Sequence, residues 1–223
     1  MAEATFQKST AREYFESIIV AVILALFIRT FAVQAFKIPT GSMEPNLLVG
    51  DHLLVNKFIF APSASTVERM LLPMREIRRG DVVVFKFPEE PERDFIKRVI
   101  GLPGDTIEMR QRQVYINGTK AEEPYAHYLF SQGEGDESTT FDVRERYGPV
   151  TVPADHYFMM GDNRDNSQDS RYWGFLPAHY VKGRALMIYW SFDLPPGEDR
   201  GILSAIGSIV TSTRWNRLLH QIH

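Results

Sequence analysis

The 223-residue chain contains no cysteine. Disulfides, thiolate nucleophiles and cysteine-held zinc are therefore excluded. The compartment stays open, because an exported bacterial protein can fold without disulfides. Excess positive charge is missing too. A formal net charge of −3 and a pI near 6.1 leave no basic footprint for nucleic acid. Histidine is sparse and unpatterned: His52, His127, His156, His179, His220 and His223 show no metal-ligand or acid–base spacing. Neither a Ser-His-Asp triad nor a metal centre is expected. There is no internal repeat.

What the chain does have is apolar sequence at its start and aromatic residues throughout. Met1 to Arg12 is polar and reads as a cytoplasmic tail. Ile18 to Ile28 is unbroken apolar sequence, Arg29 interrupts it, and Phe31 to Phe36 resumes it. Two readings compete. As a membrane anchor, 13–36 exceeds the ~20 residues that a spanning helix needs. Arg29 then snorkels to the outer interface. As a cleaved signal peptide, Ile18 to Ile28 is the apolar region and Val33-Gln34-Ala35 the cleavage site. Arg29 fits the second reading badly, so a single N-terminal transmembrane helix is the expectation.

Beyond residue 37 the pattern changes from one long run to many short ones. Val82–Phe87, Phe95–Ile100, Thr106–Arg110, Gln113–Ile116, His156–Met160 and Val181–Trp190 read as strands between Gly/Pro turns. Asn117-Gly118 is a tight-turn pair. The expected fold class is mainly β, an antiparallel β catalytic domain over 37–195, with an inserted small lobe at about 106–154. Val67 to Leu72 suggests a short helix. After a Pro-rich break, Ile202, Leu203, Ile206, Ile209, Val210, Leu218 and Ile222 recur at roughly helical spacing. The segment 196–223 is expected as an amphipathic tail, lying on a membrane surface or packed on the domain.

Three stretches carry chemistry. In the first, Pro39 and Pro45 bracket Thr40-Gly41-Ser42 and stiffen the backbone around one serine. A plain linker leaving an anchor has the same composition. In the second, strand alternation puts Phe95, Lys97 and Val99 on one face and Ile96, Arg98 and Ile100 on the other. Arginine cannot serve as a base, because it keeps its charge. A desolvated lysine can lose its proton and take one from a serine hydroxyl. Two cations reaching solvent past a sheet edge would look alike. The third stretch, Gly161 to Gly174, is rich in short polar side chains that bond to their own backbone. It lacks the central glycine and terminal glutamate of a calcium loop. It reads instead as support, with Ser167 holding a lysine and Asp169 pairing with Arg171.

With these blocks in order, the chain resembles bacterial type I signal peptidases. The blocks are Pro39 to Pro45, Arg79 to Phe85, Arg93 to Asp105 and Gly161 to Gly174. The likeness runs from the apolar anchor to about Pro177. It implies Ser42 as nucleophile and Lys97 as general base. Endoplasmic-reticulum relatives have histidine in place of that lysine. Thr40 falls where the family places a hydroxyl that forms the oxyanion hole with the Ser42 amide. Many members have serine there, so threonine is a mild departure. Ser167 matches the residue that orients the lysine, and Asp169 and Arg171 match the supporting pair. The resemblance implies no cofactor.

It also implies a place and a substrate. The domain would sit on the outer, periplasmic face of the cytoplasmic membrane, cutting signal peptides from exported preproteins after small residues. The lipid bilayer and the secretion translocon are the partners it suggests. Phe36 to Ser42 spans at most about 20 Å at ~3.3 Å per residue, which keeps the serine near the bilayer. Other readings are a self-cleaving Ser/Lys protease of the repressor type, a maturase with few substrates, and a tethered β module that binds exported chains without cutting them.

Overall fold

The structure is a computed structural model that describes residues 10–27, 33–57, 59–60, 75–129, 142–193 and 211–222. One long helix, α1 (Thr10–Phe27), is followed by strands. These are β1 (Val33–Lys37), β2 (Asp51–Asn56), β3 (Val82–Lys86), β4 (Asp94–Gly101), β5 (Thr106–Arg110), β6 (Gln113–Ile116), β7 (Thr119–Lys120), β8 (Tyr147–Thr151), β9 (His156–Met160), β10 (Leu176–Pro177), β11 (Val181–Ser191) and β12 (His220–Gln221). The fold is mainly β.

The main sheet runs β1-β2-β11-β3-β4-β9-β10, with β12 also on β11, and all its pairings are antiparallel. Its centre is buried on both faces, which is why β3 opens with four apolar residues rather than alternating, and why β4 is buried from Ile96 to Gly101 even at Lys97 and Arg98. Val82, Val84 and Ile96 enter one core with Leu53, Val55 and Ile188. Val83, Phe85 and Val99 enter another with Met159 and Leu176. The second sheet, β7-β6-β5-β8, folds around Ile107, Met109 and Val114.

Two expectations are corrected. The expected spanning helix over 13–36 is not formed as such. Among the described residues no helix is long and apolar enough to cross a membrane. The first turns of α1 carry Arg12, Glu13 and Glu16, and the helix as described stops at Phe27. Val33 to Phe36 is strand, in register with β2 from Val33↔Asn56 to Lys37↔His52. A β-branched and aromatic segment of this length serves a sheet edge as well as a helix. Of the two placements expected for the tail, its described residues take the one packed on the domain, but not as an amphipathic helix. Trp215–Arg217 is a 3₁₀ turn and His220–Gln221 pairs with Met187 and Ile188 of β11. Ile222 is then buried in the core beside Leu53 and Ile188. The suggested helix at Val67 to Leu72 and residues 202–210 of the tail lie outside the described residues.

Candidate active site

The loop from Ile38 to Asp51 is closed at its neck by Ile38 N–H to Asp51 O (2.8 Å) and Gly50 N–H to Ile38 O (3.0 Å). Ile38, Met43 and Leu47 are buried and hold it on the core. Thr40 is extended and exposed. Gly41–Met43 then forms a 3₁₀ turn that carries Ser42. Ser42 is only 7% exposed.

Lys97 comes from the centre of β4, opposite Val83 of β3. Its Nζ hydrogen bonds Ser42 Oγ at 2.6 Å, and the residue is 3% exposed. Nζ also lies 5.4 Å from the centre of the Phe95 ring. Burial lowers the Lys97 pKa to about 8, with Asp169 and Asp162 pulling it back up and Arg171 pushing it down. A large fraction of the amine is therefore neutral at mildly alkaline pH, as a proton acceptor requires.

The loop after β9 wraps this pair. Asn163 donates its backbone N–H to Ser42 O (3.2 Å) and its Nδ2 to Gly41 O (3.2 Å). Gly161 is needed for close approach, since a Cβ there would collide with Ser42 O and Ser167 Oγ. Asp169 is fully buried and accepts Gly161 N–H (3.0 Å) and a fork from Arg171 Nε and Nη2 (2.8 Å each). Burial alone would raise the Asp169 pKa, but the Arg171 charge and these hydrogen bonds hold it below the ordinary carboxylate value.

Four of the expected residues are thus brought together as pairs: Ser42 with Lys97, and Asp169 with Arg171. Ser167 differs. Its Oγ is buried beside the Ser42 carbonyl and makes no hydrogen bond to Lys97; it lies instead near the Asp169 carboxylate, which it helps to keep ionised. Ser167→Ala should accordingly change the unfolding free energy by no more than about 1 kcal/mol, the net worth of one hydrogen bond. A fall in kcat at unchanged stability would give that hydroxyl its role during the reaction, when Lys97 becomes an ammonium. Unchanged kcat would remove it from the site.

Arg98 is the residue that sequence reading undervalued. It does not reach solvent past a sheet edge. It forks onto Asp162 with Nε and Nη2 (2.8 and 2.7 Å), donates Nη1 to Gly80 O (2.8 Å) and stacks 4.1 Å over Tyr125. Both partners are almost wholly buried. Asp162 also accepts Asn46 Nδ2 (2.8 Å), which ties the pair to the serine loop. The available signal was a cation set between two apolar residues on the inner face of a strand.

The family model described as signal peptidase, peptidase S26, matches residues 11–190. The chain belongs to the signal peptidase family, peptidase S26. It is accordingly a signal peptidase by class, a hydrolase. A signal peptidase I of Pseudomonas aeruginosa is 36% identical over 227 residues, covering 88% of this chain and 78% of its own. One from Leptolyngbya laminosa is 38% identical over 191 residues, covering 82% and 81%. A solved signal peptidase I from Enterococcus faecalis is 33% identical and covers 49% of this chain and 97% of its own, with a TM-score of 0.40.

Proposed function

We propose that this chain is a membrane-anchored serine endopeptidase that removes signal peptides from exported preproteins through Ser42 and Lys97. The observation that carries the reading is the 2.6 Å contact between a buried lysine Nζ and a serine Oγ. Neutral Lys97 takes the Ser42 proton as Oγ attacks the scissile carbonyl. The Ser42 amide and the Thr40 hydroxyl stabilise the oxyanion, usually the largest single contribution in such chemistry. The lysine ammonium then gives its proton to the leaving amine. Lys97, neutral again, activates the water that hydrolyses the acyl-enzyme. Asn163 on the Ser42 and Gly41 carbonyls supports this geometry by holding the turn still.

The bilayer reading rests on α1. Tyr14, Phe15, Ile18, Val20, Ile23 and Leu24 are all more than half exposed, on a helix whose apolar side chains stay uncovered among the described residues. Lipid is the environment that suits such a surface, and it would leave the serine loop on the outer face, close to a preprotein delivered by the translocon. One preparation tests both parts. The protein should stay in carbonate-washed membranes with its N-terminus intact by mass. The detergent-purified protein should cut a preprotein after its signal peptide. Binding of the preprotein without a product would return the tethered-module reading.

A further inference from the structure

The carboxylate of Asp51 is fully buried at the end of the serine loop, where it accepts Leu48 N–H (2.8 Å) and Ser191 Oγ–H (2.6 Å). Its cationic partner among the described residues is Arg217, 166 residues further along the chain. Arg217 donates Nε to Asp51 Oδ1 (3.1 Å) and Nη2 to Asp51 Oδ2 (2.6 Å), and the same Nη2 reaches Asn46 O (2.8 Å). Arg217 therefore holds two points of the loop that carries Ser42. Arg214 holds a third, donating Nη1 to Val49 O (3.0 Å).

The chain end that supplies these cations is itself laced to the sheet. Arg214 N–H bonds Ser191 O (3.0 Å), Asp193 N–H bonds Ser212 O (2.8 Å), and Ile222 N–H bonds Leu186 O (2.9 Å). Gly50, at φ +91°, lies so close to Phe192 that a Cβ would strike its carbonyl oxygen. The other end of the serine loop is fixed differently, through Asn46 to Asp162 and Asn163 to Ser42. Asn46 is thus held at both ends, its side chain by Asp162 and the Tyr125 carbonyl and its own carbonyl by Arg217.

We propose that Arg217 is a positioning residue for Ser42, acting through Asp51 and Asn46, and that the chain end is in this way part of the catalytic scaffold. The proposal rests on Ser42 being the nucleophile. Arg217 touches neither Ser42 nor Lys97. Its removal leaves the buried Asp51 carboxylate short of its cationic partner and frees the Asn46 carbonyl, so the turn between Pro45 and Pro39 can shift. A displacement of about 1 Å at a reacting atom can cost on the order of 10²-fold in rate.

The test compares Arg217→Gln, Arg217→Lys and Ser42→Ala in the full-length detergent-solubilised protein on one preprotein, well below each variant's unfolding midpoint. Arg217→Gln should lower kcat per folded molecule by about 10²-fold with KM within about twofold, the signature of lost transition-state geometry. Arg217→Lys, which keeps a cation for Asp51 but loses the fork, should recover part of that loss. Unchanged kcat per folded molecule, or a rise in KM alone, overturns the proposal. If Arg217→Gln does not fold, Arg217→Lys decides: lower kcat at unchanged KM sustains the proposal and unchanged kcat ends it. Ser42→Ala separates the two failures. If it still cleaves, the nucleophile is wrong and the proposal falls with it. If it is inactive beside a fully active Arg217→Gln, the proposal alone falls.

Discussion

Lys97→Met should remove preprotein cleavage, by ~10²–10⁴ or more, the range that a general acid–base group contributes. The same substitution should make the protein more stable at neutral pH. Methionine fills a similar volume without an amine. Lys97 has its pKa lowered to about 8 by burial against a free-lysine value of 10.5. The unfolded chain therefore binds more protons than the native one between those two values. Native stability rises with pH across that window, and the penalty of holding the charged amine is fully present below about 8. At pH 7 that penalty is on the order of 3 kcal/mol. Lys97→Met should escape it, and its advantage should shrink as pH rises past 8. Lys97→Arg should also be inactive, because arginine keeps its proton. Ser42→Ala should match the loss of activity without the stability gain. Urea unfolding at several pH values, beside a cleavage assay, checks both halves. A Lys97→Met protein that is inactive and much less stable would mean that the amine is structural.

The second large effect concerns Arg98 and Asp162. Asp162→Ala should destabilise the fold by ~3–5 kcal/mol, because it leaves the buried Arg98 guanidinium without its counter-charge. It should also lower activity in the molecules that remain folded, since Asn46 loses its tie to the loop after β9. Arg98→Lys keeps the charge but gives up the fork, the Gly80 carbonyl bond and the stack on Tyr125. Taken as one cation among two on a strand, Arg98 would be an easy replacement by lysine. In the structure it is not. Chemical denaturation of both variants measures this, and a midpoint for Arg98→Lys equal to that of the parent chain would show that the fork contributes nothing.

The difference between Lys97 and Arg98 shows where sequence reading works. The alternation of β4 identified the faces, and lysine chemistry picked the residue that can shed a proton. What Arg98 binds lies 64 residues away in a loop whose composition suggests only rigidity. Asp51 and Arg217 are still further apart, and a long-range pair leaves no mark on either neighbourhood. The serine turn was legible because its determinants are local: two prolines that bracket Thr40-Gly41-Ser42; the anchors Ile38, Met43 and Leu47 came only with the structure. Short apolar runs were not. Val33 to Phe36 continued a longer apolar stretch and looked helical, yet β2 offered it a backbone partner. The chain end had helix-like spacing, yet Ile222 is buried because β12 pairs with β11. In both places the competing structure was set by a strand more than fifteen residues away. Ser167 shows the converse, a residue expected to hold Lys97 whose hydrogen bond to that lysine was not found.

The central claim is that a neutral Lys97 takes the proton of Ser42. The pH dependence of kcat/KM on one preprotein, between pH 6 and pH 10, addresses it directly, because that quantity reports the ionisation of the free enzyme's essential base. The account predicts a single ascending limb with its midpoint at about 8, the value to which burial lowers Lys97. A midpoint near ~6.5, where an ordinary histidine titrates, or a profile flat across the range, would contradict it.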